Sequence, residues 1–241
     1  MKIDIWSDIA CPWCYIGITR LEKALDAFPH KDGVEIAVHS YQLDPTLPEQ
    51  YDGTEIEYLS SRKAMPEAHV RQMFEQVKQT AAQDGLTMNF DTLVVANSRR
   101  AHQVLHAALN ADPSGDLMRR LKLALFKAHF TDGASISDPE VLVTVATEAG
   151  LDAQAARDAI DNPQRDAEVT ADIRRAAQIG VQGVPFFVFA DKYAVSGAQP
   201  VEYFEQALAQ VWNEVHPEPT PLADLGVGVA SGPSCGVNGC D

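Results

Sequence analysis

Cys11-Pro12-Trp13-Cys14 divides two stretches of opposite periodicity. Upstream, Ile3 and Ile5 alternate with polar residues as a strand does; downstream, Tyr15, Ile16, Leu21, Leu25 and Phe28 recur at helical spacing. The chain must therefore pass from strand to helix through two cysteines. At a helix start the first thiol of Cys-x-x-Cys meets unpaired backbone N–H groups and the positive end of the helix dipole, so its thiolate is stabilised. Cys11 is the expected nucleophile. Cys14, one turn further in, is the expected resolving thiol, attacking a mixed disulfide formed at Cys11. Pro12 and Trp13 between them shape the turn and the access to sulfur.

The rest of the chain arranges itself around this turn. Val34 to Leu43 alternates and is β-branched, as a second strand should be, and Pro45 and Pro48 close it. From about 55 to 165 strand signals give way to amphipathic segments such as Val70, Met73, Phe74, Val77 and Leu117, Leu121, Ala124, Leu125, Ala128. One helix start is well marked: Asp138 as N-cap, Pro139 at the first helical position, and Gly150 as terminator. A helix over about 166–179 leads into Gly183-Val184-Pro185 and an apolar strand, Phe186-Phe187-Val188-Phe189. Asp191-Lys192 turns into Tyr193-Ala194-Val195, and Tyr203, Phe204, Ala207, Leu208, Val211 and Trp212 supply a last helix. The expected order is β-α-β, a helical insert, then α-β-β-α. Beyond His216 the chain is rich in proline and glycine and reads as a tail.

Composition excludes other classes. The 241 residues are 46% hydrophobic and 22% charged, enough apolar material for a sizeable core. No apolar run approaches the ~20 residues of a membrane-spanning helix. Against 34 Asp and Glu stand 19 Lys and Arg, a net charge of −15, so a polyphosphate would be repelled and nucleic acid is not an expected partner. Acidic Asp4 and Asp8 and an early cysteine do not make a secretory signal, and the chain reads as cytoplasmic. Its four cysteines form two tight pairs, Cys11 with Cys14 and Cys235 with Cys240; in a reducing compartment such pairs point to redox or metal chemistry rather than structural staples. A zinc tetrathiolate from all four is the competing reading, but the second pair has four intervening residues and the proline-led strand has no use in zinc binding. No metal is expected.

Cys11-Pro12-Trp13-Cys14 after a first strand, a long helical stretch, and Gly183-Val184-Pro185 before a strand resemble the DsbA family of the thioredoxin superfamily, over residues 1 to about 215. Leu125–Phe130, Ile136–Glu140 and Val181–Val188 are similar to the cytoplasmic FrnE-like oxidoreductases, some of which carry a second, C-terminal cysteine pair. The resemblance implies an α/β thioredoxin-like fold with a large all-helical insertion and an irregular C-terminal tail. The parts are a thioredoxin-like domain from 1–54 and 166–215, a helical subdomain at 55–165 and a flexible tail at 216–241. It also implies a cis Val184–Pro185 bond beside the cysteine turn, leaving backbone groups to pair with a bound substrate, so Pro12, Trp13, Val184 and Pro185 are substrate-binding candidates.

In the functional reading the tail pair relays electrons: from His216 to Cys235 the chain can extend about 60 Å at ~3.3 Å per residue, so reach does not prevent docking beside Cys11. His102 and His106, four apart on a helix, read as surface or packing histidines, and Arg99-Arg100 and Arg119-Arg120 as charges facing solvent; all six stay outside the catalytic set. The expected activity is that of a thiol–disulfide oxidoreductase or isomerase acting on protein or small-molecule disulfides and dithiols, as monomer or homodimer. It needs no organic cofactor because the dithiol carries two electrons. The same superfamily branch holds 2-hydroxychromene-2-carboxylate isomerases and kappa-class glutathione transferases, which typically carry serine where Cys11 stands. A glutathione-dependent isomerase or transferase is therefore the alternative, with glutathione as thiol substrate.

Overall fold

A computed structural model describes residues 1–217, the side chain of Lys63 excepted, and the backbone of 235–236 and 239–240. Strand β1 (Lys2–Ser7) runs at the centre of a four-stranded sheet of order β2-β1-β3-β4, where β2 is Glu35–Ser40, β3 Phe186–Phe189 and β4 Tyr193–Ser196. β2 lies parallel to β1, and the crossover between them is helix α1 (Pro12–Ala27); β3 and β4 add antiparallel on the other side. Helices α2 (Glu55–Lys63), α3 (Glu67–Gln83), α4 (Arg99–Ala111), α5 (Asp116–Phe130), α6 (Pro139–Ala149), α7 (Ala153–Ala159) and α8 (Pro163–Gln178) intervene before β3, and α9 (Val201–Val215) follows β4. This is the expected order of elements.

Strand alternation decides which helix covers which face. Ile3 and Ile5 of β1, with Phe187 and Phe189 of β3, are buried in one core with Ile16 and Leu21 of α1 and Phe204 and Leu208 of α9. Their neighbours Asp4 and Trp6 point the other way, where Trp6 packs with Ala176 of α8 and Val181. None of the helices among the described residues is long and apolar enough to cross a membrane.

Local chemistry explains most boundaries. Asp138 accepts from Glu140 N at 2.8 Å and Val141 N at 3.4 Å, and Gly150 closes α6 at φ 106°. α8 starts at Pro163 rather than near 166, because Asn162 caps it by accepting from Gln164 N and Arg165 N. β2 ends at Ser40, earlier than expected, and the Leu43 N–H goes to the Asp8 carboxylate at 2.7 Å instead of to a ladder. In place of wholly irregular chain near the C-terminus, Cys235–Gly236 and Gly239–Cys240 form a short antiparallel ladder that sets Cys235 opposite Cys240. The remainder of the expected tail lies outside the described residues.

α8 is held to the sheet by a half-buried ionic array. Asp172 accepts from Ser40 N at 2.8 Å and contacts His39 Nδ1 at 3.0 Å and His106 Nε2 at 3.2 Å, while His39 Nε2 reaches Asp4 at 2.6 Å. Burial alone would lower the His39 pKa and raise that of Asp172; the bonds and charges of Asp172 and Asp4 lift His39 instead, and those of His106 and His39 hold Asp172 well below the carboxylate range. A raised imidazole stabilises the fold fully below its unfolded value of about 6.5 and loses that contribution as pH rises through the folded value; a lowered carboxylate stabilises above about 3.9 and fails in acid. Asp172→Asn is expected to cost about 3 kcal/mol in urea unfolding at pH 5.5, and less at pH 8.5. An equal loss at both pH values would remove His39 from the account.

Candidate active site

Cys11 is the N-cap of α1, with Pro12 at the first helical position. Its extended backbone (φ −106°, ψ 110°) lets its carbonyl accept from Cys14 N at 3.0 Å and Tyr15 N at 3.3 Å, closing the first turn, while its side chain makes no capping bond. The thiol is left to point across the turn, where Sγ contacts the Val184 carbonyl at 3.6 Å. Val184–Pro185 is a cis bond, and Pro185 is buried with its carbonyl accepting from Gly197 N at 2.8 Å. Gly17 makes this approach feasible: a Cβ there would stand 2.8 Å from the Pro185 ring. Trp13 is 37% exposed and Pro12 and Val184 are half-buried, so the structure gathers Cys11, Cys14, Pro12, Trp13, Val184 and Pro185 in one place. It pairs the backbones of Cys235 and Cys240 with each other; their side chains lie outside the described residues.

The two thiols are unlike. Both are free, with Cys11 4% exposed and Cys14 not exposed at all. Burial, and after it the hydrogen bond and charge of Cys11, pushes the Cys14 thiol well up. What opposes this is first a hydrogen bond from the Asp8 backbone and then the charge of a lysine that no sequence pattern marks. Lys122, on α5, is 1% exposed, donates to the Ser7 carbonyl at 3.0 Å and lies in the field of Cys14, Asp8, Asp172 and Cys11. Burial brings its ammonium down to about 8.

Asp8 completes the floor of the turn. It accepts from Ala10 N at 3.3 Å and Leu43 N at 2.7 Å, and lies 3.3 Å from His102 Nε2. Burial would raise this carboxyl, and the bonds from His102 and Leu43 outweigh it and keep Asp8 ionised. His102 and His106 are therefore packing groups rather than surface ones, and His102 orients the aspartate beneath the cysteines. Arg120 is exposed, as expected, but Arg99, Arg100 and Arg119 do not simply face solvent. Arg99 donates to Asp166 and Thr170 of α8, Arg100 to both oxygens of Asp161 in the turn between α7 and α8, and Arg119 to Glu22 of α1, so these charges tie separate parts of the fold together. His129, buried near the same floor, is driven down to about 4 by desolvation and is neutral.

An arrangement of one thiol at a helix mouth, a second buried behind it, and a backbone carbonyl across the gap can exchange disulfides and needs no further reacting group.

Comparison with known proteins agrees with this geometry. The family model of the DSBA-like thioredoxin domain matches residues 2–209. A probable DsbA oxidoreductase from Streptomyces coelicolor is 39% identical and superposes with a TM-score of 0.82, covering 100% of this chain and 98% of its own. The cytosolic disulfide reductase DsbM from Pseudomonas aeruginosa, solved with GSH, is 20% identical with a TM-score of 0.62 over 88% of this chain and all of its own. A 2-hydroxychromene-2-carboxylate isomerase is 15% identical with a TM-score of 0.64 over 90% of this chain and 98% of its own. These last two are alike in fold alone. With the family model spanning nearly all of the described chain, and the Streptomyces protein related along its whole length, the chain belongs to the DSBA-like thioredoxin domain family.

Proposed function

We propose that this protein is a cytoplasmic thiol–disulfide oxidoreductase of the FrnE-like type, working through Cys11 and Cys14. The observation that carries the reading is the contact of Cys11 Sγ with the Val184 carbonyl, with Cys14 sealed one turn behind. The Cys11 thiolate attacks a substrate disulfide, forming a mixed disulfide and releasing one substrate thiol. The Cys14 thiolate then attacks the Cys11 sulfur, releasing the second thiol and leaving a Cys11–Cys14 disulfide, so two electrons pass to the substrate. Run backwards, the same steps oxidise a dithiol. Pro12, Trp13, Val184 and Pro185 align the substrate, and the Val184 backbone is the docking edge. No organic cofactor takes part, and glutathione serves as a thiol substrate or reductant. Cys235 and Cys240 form an auxiliary redox pair that exchanges with the first.

Removing the nucleophile separates these roles. Cys11→Ser is expected to reduce insulin-type disulfide reduction to the background rate, whereas Cys14→Ser accumulates a mixed disulfide at Cys11 visible by mass spectrometry. No trapped species with Cys14→Ser would undo the assignment. The fold shared with the isomerase supports one alternative, glutathione-dependent isomerisation, and that reading requires turnover to survive Cys14→Ser. For the tail, the Cys235→Ser/Cys240→Ser variant is expected to turn over several-fold more slowly with the first pair intact; an unchanged rate means that no relay operates.

Lys122 is a positioning residue in this scheme, its positive charge favouring the Cys14 thiolate at the moment of resolution. Lys122→Met is expected to make the Cys14 thiol ionise about one pH unit higher, followed at 240 nm in a Cys11→Ala background, and to slow resolution about tenfold, or ~1.4 kcal/mol. Lys122→Arg should restore much of the difference. A titration indifferent to all three side chains would leave Lys122 a structural residue only.

A further inference from the structure

Beside the cysteine turn lies a cavity of about 410 Å³, within the roughly 300–1,000 Å³ range of small-ligand sites. It begins at Ala10, the residue before Cys11, and runs between the chain after β2 and the face of α2. Leu43, Leu47, Leu59 and Val95 give it apolar walls. Most of its polar groups satisfy one another: Tyr58 donates to Asp44 at 2.8 Å, Arg62 pairs with Asp44 at 3.2 Å, and Asp8 is occupied by His102 and two backbone N–H groups.

Two polar groups remain. Glu55, at the first position of α2, makes no hydrogen bond or ion pair among the described residues, and burial raises its carboxyl to about 7. His129 is 2% exposed, and its Nδ1 has no hydrogen-bond partner among the described residues. A carboxylate accepts, and a neutral imidazole keeps one lone-pair nitrogen, so both groups can take a donor. An ammonium group carries three N–H donors and a charge opposite to that of an ionised Glu55. The overall charge of −15 attracts such a cation to the surface.

We propose that this cavity binds small disulfides bearing an amino group, seating the ammonium on Glu55 and His129 and the sulfurs toward Cys11. This deepens the thiol–disulfide reading and rests on it. The chemistry balances without another reactant: Cys11 displaces one aminothiol from the disulfide, Cys14 displaces the second, and the protein's two thiols become its disulfide.

The test is a single turnover. Pre-reduced full-length protein is mixed with cystamine, with the uncharged hydroxyethyl disulfide or with the anionic dithiodipropionate, and oxidation is followed by tryptophan fluorescence. Each rate is divided by that of the same disulfide with dithiothreitol in free solution, which removes intrinsic reactivity. The normalised rate for cystamine is expected to exceed that of the uncharged disulfide about tenfold at pH 8, with the anion slowest. Glu55→Gln should bring the ratio of cystamine to uncharged disulfide close to one. In the parent protein the same ratio should climb as pH passes through about 7, where Glu55 ionises; of the other groups facing the cavity beside Arg62, Asp8 and Asp44 are held ionised, Tyr58 is held as the phenol, and His129 stays neutral. A ratio insensitive both to pH and to Glu55→Gln, or one favouring the uncharged or anionic disulfide, overturns the assignment. If no disulfide, insulin included, oxidises the parent protein, it is the thiol–disulfide reading itself that fails.

Discussion

Everything at the cysteine turn depends on the register between β1 and β3. Trp6 opposes Phe186 and Ile5 opposes Phe187, so the chain leaving the end of β1 and the chain entering β3 emerge side by side. Cys11 lies four residues past the one strand's end and Pro185 immediately precedes the other. A slip of one residue would send Ile3, Ile5, Phe187 and Phe189 to the wrong face, which makes the register costly to change. The hydrophobic core thereby places the Val184 carbonyl opposite a thiol 173 residues away in sequence.

The second layer of control is electrostatic and lies under the turn. Cys14, Asp8, His102 and Lys122 are all buried, and a buried charge persists only where partners compensate it. Asp8 has several; Lys122 has one carbonyl and the fields of its neighbours. The thiol at the helix mouth can be held by the helix end alone, but the sealed one draws on positive charge from nearby, and here that comes from α5 rather than from the sheet.

Much of this was legible in the sequence, and the exceptions have physical causes. Short-period alternation, the cysteine spacing and the Asp138 cap are local signals, and the elements they announce are present as expected. Pro185 stood out because a strand that begins with proline has surrendered a donor. Lys122 was invisible because its helix reads as amphipathic through Leu117, Leu121 and Leu125, and nothing in a periodic pattern tells which lysine on a helix buried on most sides will be drawn inward. Burial of His102 likewise depends on Asp8, 94 residues earlier. Arg99, Arg100 and Arg119 are paired for the same reason, since their partners come from parts of the chain distant in sequence. Glu55 carried no signal at all: its neighbours are set by the packing of α2 against the loops after β2.

The bond from Lys122 to the Ser7 carbonyl has a thermodynamic implication for the molecule as a whole. One end belongs to the helical block and the other to the central strand, and the ammonium between them senses the charge on Cys14. The charge on Lys122 and the ionisation of Cys14 are therefore linked, so in the proposed exchange a proton lost at the thiol is felt at the joint between helix and strand. Helix α5 then contributes to the thiol chemistry as well as to the packing against the sheet.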